Sequence, residues 1–169
     1  MVTTLFLSSC GSNNILPRPS SGHEPHIVSP NVNKLWSLND IFTIQMDTNP
    51  MLAANSGVVC FIGAMKDNEY FRVVCLNGHT GNVLWQTNPD AFTNIQVVSD
   101  GVYVTRSGLA GVAKYNLNGS VSWSSSIRGS GFKYMYIVDN EVQVSTDLDE
   151  LIALSSSDGK LIVIVQGGT

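Results

Sequence analysis

Short apolar runs of four to six residues, each closed by glycine, asparagine or aspartate, dominate the chain from about residue 50 onward. Runs of that length, rich in valine and isoleucine and bounded by turn residues, predict β-strands rather than helices. The runs also repeat. Arg72-Val-Val-Cys-Leu-Asn-Gly-His-Thr-Gly81-Asn-Val-Leu-Trp85 has a counterpart in Val112-Ala-Lys-Tyr-Asn-Leu-Asn-Gly119-Ser-Val-Ser-Trp123 and another in Leu151-Ile-Ala-Leu-Ser-Ser-Ser-Asp-Gly159-Lys-Leu-Ile-Val163. The turn glycines Gly81, Gly119 and Gly159 recur at intervals of 38 and 40 residues. Upstream of each copy lies a second turn, at Asn55-Ser-Gly57, Ser99-Asp-Gly101 and Val138-Asp-Asn140, recurring at 44 and 39. Two features returning in the same order with a period near 40 predict stacked or radially arranged units of one supersecondary design.

The turn positions carry residues that accept positive φ, which glycine adopts freely and asparagine tolerates. Gly57, Gly101 and Asn140 are expected to fill one such position in each unit, with Asp100 and Asp139 before two of them. Gly81, Gly119 and Gly159 fill another, beside Asn77, Asn116 and Ser155, whose side chains are expected to bond the local backbone. The middle copy of this turn is one residue shorter, and the first interval is longer because residues 64–70 insert a polar loop. Four residues after each turn glycine comes Trp85, Trp123 or Val163, a fixed place for a large packing side chain.

This pattern, best seen in Cys75-Leu-Asn-Gly-His-Thr-Gly81-Asn-Val-Leu-Trp85, resembles the repeat of quinoprotein-like β-propellers over roughly residues 33 to 165. The resemblance implies an all-β fold, a partial β-propeller of about three four-stranded antiparallel blades. Asn33-Lys-Leu-Trp36 looks like the closing strand of a further unit. Propellers use about 4 to 8 blades, so the missing ones are expected from the rest of a longer chain, which we favour, or from other copies. Leu161-Ile-Val-Ile-Val165 agrees with this, because an apolar strand followed by Gln-Gly-Gly-Thr would leave its sheet face without a neighbour.

Composition narrows the function. Of 169 residues 43% are apolar and 13% charged, enough to build a core. Nine Lys plus Arg against thirteen Asp plus Glu give a net charge of −4 with no basic cluster, so nucleic acid is not an expected partner. No apolar run approaches the roughly 20 residues that cross a bilayer as a helix.

Residues 1–10 end in Leu7-Ser-Ser-Cys10 and resemble a bacterial lipobox, although the apolar stretch is short and lacks a preceding Lys or Arg. In that pattern cleavage before Cys10 leaves an acylated cysteine, and two chains hold a protein at a membrane surface. Residues 11–32 carry four prolines among Ser, Asn and Gly and read as a flexible tether, leaving 33–169 for the repeats. His23 and His26 in the tether are read as unliganded surface residues.

Candidate chemistry is sparse. Cys60 and Cys75 are equidistant from the loop centred between Lys66 and Glu69, so they should face each other across a hairpin. An exported protein would permit a disulfide there; two buried free thiols are the alternative. Asp147, Asp149 and Glu150 cluster at a hairpin tip, where a solvated turn is preferred over a calcium site. His79 sits in a turn with no carboxylate or cysteine nearby. No nucleophile elbow, phosphate-cradling loop or zinc spacing is present, and no catalytic residue, cofactor or metal is expected.

The lipobox, tether and Trp-ended repeats together resemble the BamB-like lipoproteins that support outer-membrane protein assembly. The resemblance implies a noncatalytic module in the cell envelope, anchored by lipid on a periplasmic or extracellular face and binding protein partners. The alternatives are a fragment of a quinone-cofactor dehydrogenase, disfavoured because adjacent cysteines are missing, and a surface sensor or carbohydrate-binding propeller.

Overall fold

A computed structural model describes residues 42–44, 52–65, 71–107, 111–127 and 131–167, all within the unit Leu38–Thr169. Cys10, Trp36, the signal-like segment 1–10 and the tether 11–32 lie outside the described residues. The described residues contain no helix. They form thirteen strands: β1 (Phe42–Ile44), β2 (Leu52–Asn55), β3 (Val58–Met65), β4 (Phe71–Asn77), β5 (Val83–Gln86), β6 (Phe92–Val98), β7 (Gly101–Arg106), β8 (Gly111–Tyr115), β9 (Val121–Ser126), β10 (Phe132–Val138), β11 (Glu141–Thr146), β12 (Glu150–Ser155) and β13 (Leu161–Gln166). All pairing is antiparallel, in three sheets taken in chain order. Blade 1 is β1 to β5, blade 2 is β6 to β9 and blade 3 is β10 to β13.

Blade 1 departs from four strands only formally. β1 pairs with residues 63–65 of β3 and β2 with residues 58–61, so the two run collinearly along one edge and act as a split first strand. In blades 2 and 3 the same place carries only a register shift, at Phe92/Asn94 and at Phe132/Tyr134. The hairpin β3–β4 pairs from Val58/Asn77 to Ala64/Phe71, so Ala64 belongs to strand, not to the expected loop. This longer hairpin accounts for the longer first interval.

Turn chemistry follows the sequence at most positions. Gly81, Gly119 and Gly159 have φ of 73°, 88° and 70°, and each donates its N–H to the carbonyl of Asn77, Asn116 or Ser155. Only Asn77 caps the turn with its side chain as expected, accepting from the N–H groups of His79 and Thr80. Asn116 instead donates to Ser120 Oγ, and Ser155 Oγ meets Ser157 Oγ. The equivalence assigned to Gly101 needs correcting. The two-residue hairpin loops are Ser56-Gly57, Ser99-Asp100 and Asp139-Asn140, flanked by the pairs Asn55/Val58, Val98/Gly101 and Val138/Glu141. Asp100 therefore matches Gly57 and Asn140, whereas Gly101 opens β7 one residue later. Its φ of 156° is positive as expected, and a side chain there would come within 2.6 Å of the Tyr115 carbonyl oxygen, so backbone conformation and close approach together select this glycine.

Blades pack face to face through side chains alternating along each strand. Between blades 1 and 2, Cys60, Ile62, Val73 and Cys75 meet Phe92, Ile95, Val97, Val102, Val104 and Tyr115. Between blades 2 and 3, Tyr103, Val112 and Trp123 meet Met135, Val142, Val144, Ile152 and Leu154. Each blade thus has a trailing face toward the one before it and a leading face toward the one after.

Candidate interaction surface

The leading faces are built on one cross-sheet row. Strand register aligns Ala53, Cys60, Cys75 and Trp85 in blade 1, Gln96, Tyr103, Lys114 and Trp123 in blade 2, and Tyr136, Gln143, Ala153 and Val163 in blade 3. The last member of each row is the residue four positions after the turn glycine.

At the first two rows this residue is a tryptophan, and its partner is the turn of the next blade. Trp85 donates its indole N–H to the Leu117 carbonyl at 2.8 Å, and Trp123 donates to the Ser156 carbonyl at 2.9 Å. The rings rest on Gly119 and Gly159. A Cβ on Gly119 would lie 2.7 Å from the Trp85 ring, and one on Gly159 would lie 2.5 Å from the Trp123 ring. Gly119 and Gly159 therefore serve twice, giving positive φ to their own turn and a bare backbone to the preceding blade's indole. Trp85 also stacks on Tyr115 with ring centroids 5.7 Å apart, and Trp123 meets Tyr103 edge-on at 6.0 Å.

The middle of each row differs. In blade 1 Cys60 and Cys75 lie directly opposite each other, fully buried, and are joined as a disulfide. In blade 2 the same places hold Tyr103 and Lys114. Lys114, with 9% of its side chain exposed, donates to Asp100 Oδ2 at 2.7 Å and to the Ser156 carbonyl at 3.2 Å. Tyr103 Oη donates to Asp100 and reaches the same carbonyl at 3.3 Å. The Ser156 oxygen of blade 3 thus gathers three donors from blade 2. Burial pushes the Lys114 ammonium down, but its hydrogen bonds to Asp100 and Tyr103 outweigh this and hold the group above its ordinary value. Burial raises the Tyr103 hydroxyl, opposed by Lys114 and reinforced by Asp100. This clamp was not legible along the chain, because Asp100 read only as turn chemistry while its partners Tyr103 and Lys114 lie on β7 and β8. Asn94 and Gln96 reach across the same interface toward the carbonyls of Phe132 and Met135, each at 3.5 Å.

Blade 3 repeats the row without these connectors. Tyr134 and Tyr136 stand where Asn94 and Gln96 do, stacked on each other at 6.5 Å, and both are more than half exposed. Val138, Leu151, Val163 and Val165 on the same face are exposed as well. Every residue of β13 is exposed.

The remaining candidates carry no constellation. The tip at Asp147, Asp149 and Glu150 is held by Thr146 Oγ1, which accepts from the N–H groups of Leu148 and Glu150, while Asp149 pairs with Lys133 at 2.7 Å. Among the described residues no group of three metal-ligating side chains converges. His79 is exposed in its turn.

Solved structures share this arrangement. BamB from Moraxella catarrhalis matches 68% of this chain at 15% identity with a TM-score of 0.57, and the match spans 35% of that protein, so the chain covers about a third of its length. The computationally designed protein Ika4 matches 78% of this chain at 14% identity and TM-score 0.59, over 82% of its own length. A quinohemoprotein alcohol dehydrogenase from Pseudomonas putida matches 68% of this chain at 13% identity and TM-score 0.51, over 26% of that protein. These likenesses show the fold, a β-propeller of quinoprotein-like repeats. The curated protein sequences contain no match. The family model described as outer membrane protein assembly factor BamB matches residues 34–165, and the chain belongs to that family.

Proposed function

We propose that this chain is a noncatalytic propeller module of the cell envelope that works by binding proteins, in support of outer-membrane protein assembly. The family match over residues 34–165 carries the reading. The geometry agrees with it: the described side chains on the leading faces of blades 1 and 2 are spent on docking sheets and turns, a chemistry of surface complementarity. Anchoring belongs to the same reading, with Cys10 acylated and residues 11–32 spanning the distance to the membrane surface.

In-cell photo-cross-linking from surface loops, followed by identification of the products, tests the partner. Cross-links to the β-barrel assembly machinery are expected. Binding of pyrroloquinoline quinone by the purified protein, with dye reduction by an alcohol, would replace the reading with an enzymatic one. Palmitate incorporation lost in Cys10→Ser tests the anchor independently.

A further inference from the structure

We propose that the Cys60–Cys75 disulfide is made before blade 2 docks, by exchange with the disulfide of a protein oxidase acting on the still open hairpin, and that docking then seals it. Both cysteines are fully buried, in one cluster with Phe92, Val102, Val104 and Tyr115 of blade 2. Within their own sheet Ala53 and Trp85 flank them in the same row. Trp85 is in turn held to blade 2 by its hydrogen bond to the Leu117 carbonyl. Exchange needs a thiolate to reach one sulfur of the bond, and these groups fill that approach.

Nothing in blade 2 is needed to make the bond. The two cysteines stand directly opposite each other on β3 and β4, 15 residues apart in sequence. At the equivalent places in blade 2, Tyr103 and Lys114 reach across to the Ser156 carbonyl of blade 3. The disulfide instead ties β3 only to β4. It is available as soon as that hairpin forms, within roughly 1 to 10 μs.

Order along the chain sets the time left for oxidation. Cys75 precedes Phe92 by 17 residues and Tyr115 by 40. At about 5 to 20 residues per second the covering strands are complete roughly 2 to 8 s after Cys75. Disulfide formation takes seconds to hours, and only the catalysed end of that range fits the window. A thiol that misses it is enclosed among apolar side chains, where it stays protonated and inert. In the step itself one chain thiolate attacks the oxidase disulfide, forming a mixed disulfide and releasing one oxidase sulfur as thiolate. The second chain thiolate attacks the chain sulfur of that mixed disulfide and expels the other oxidase sulfur. The protons of Cys60 and Cys75 end on the oxidase, which leaves as a dithiol, reduced by the two electrons the chain has lost.

The test follows the bond in the whole chain by tagging free thiols with a mass-adding maleimide, with far-UV circular dichroism as the fold control. Dithiothreitol should reduce the oxidised chain at least about a hundredfold more slowly in native buffer than in denaturing urea. Trp85→Ala should speed native reduction at least about tenfold, whereas Trp123→Ala, the same lesion one interface further on, should change it by less than about threefold. Val104→Ala, on the covering side, replaces Trp85→Ala if that variant unfolds. Reduced chain diluted out of urea into excess glutathione disulfide should finish docking with most thiols trapped. A stoichiometric oxidase carrying a Cys-X-X-Cys disulfide should leave most molecules bonded. Native reduction at the unfolded rate overturns the seal. Equal acceleration by the two tryptophan variants assigns exchange to global unfolding and overturns the part given to blade 2. Full oxidation by glutathione disulfide alone overturns the need for an oxidase.

Discussion

Removing the Trp123 side chain should cost far more than removing its structural counterpart in blade 3. Trp123 is 8% exposed, donates to the Ser156 carbonyl at 2.9 Å and fills the space over Gly159. Trp123→Ala forfeits the buried ring and leaves a cavity, which costs about 3 to 5 kcal/mol for a well-packed tryptophan. Trp123→Phe separates the terms. It keeps most of the ring and loses the hydrogen bond, worth about 1 kcal/mol, with a further 1 kcal/mol or so for the smaller ring. The Ser156 carbonyl keeps Lys114 and Tyr103 as donors, so no acceptor is stranded. Val163→Ala, at the equivalent position but 46% exposed, should cost under about 1 kcal/mol. For a chain of this size the alanine variant corresponds to a fall in Tm of roughly 6 to 20 °C. Urea unfolding followed by far-UV circular dichroism avoids the fluorescence change that losing an indole brings. A loss below about 1 kcal/mol for Trp123→Ala, or equal losses at positions 123 and 163, would refute the claim that the indole locks blade 2 to blade 3.

Other outcomes follow from the same contacts. Gly159→Ala places a Cβ 2.5 Å from the Trp123 ring and 2.7 Å from Ser125 Oγ at a φ of +70°, so it should destabilise by more than the roughly 1 to 2 kcal/mol of the backbone conformation alone; a double-mutant cycle with Trp123→Ala should recover part of the excess, and strict additivity would contradict the contact. Reducing the Cys60–Cys75 disulfide, which closes a separation of 15 residues, should lower stability by about 3 kcal/mol; thiol titration of the denatured protein checks the bond, and two reactive thiols without reductant would argue for free cysteines. Lys114 and Tyr103 both hold their protons more tightly in the folded chain than their ordinary values of 10.5 and 10.0, so their contribution is complete below about pH 10 and fades as pH rises through the raised values. Stability should therefore drop on the alkaline side, and Lys114→Met with Tyr103→Phe should flatten that slope in pH-dependent urea midpoints. Lys114→Met alone should cost about 1.5 to 3 kcal/mol at neutral pH, the range for hydrogen bonds to a charged group, read as the shift in urea midpoint.

The legible part of the structure was local. Turn residues declare their backbone needs within four or five positions, so Gly81, Gly119, Gly159, Gly57 and Asn140 marked hairpins before any fold was known. The equidistance of Cys60 and Cys75 from a loop fixed which strands pair, because antiparallel register is symmetric about its turn. The error at Gly101 is also local in origin. Its neighbour Asp100 is an equally good turn residue, and only the paired strands show which of the two lies inside the loop.

Sequence periodicity alone thus determined that the chain is made of repeated antiparallel sheets, because alternation and turn chemistry act over distances shorter than one unit. Which side chains meet was decided by packing between units. Tryptophan and glycine stand four residues apart within a repeat, yet Trp85 and Trp123 rest on the glycine of the following blade, more than thirty residues away. The clamp of Asp100, Tyr103 and Lys114 on Ser156, and the uncovered row ending in Val163, arise in the same way. A strand pattern assigns a residue to one of two faces, but the neighbour on that face comes from a different part of the chain, brought close only when whole sheets stack.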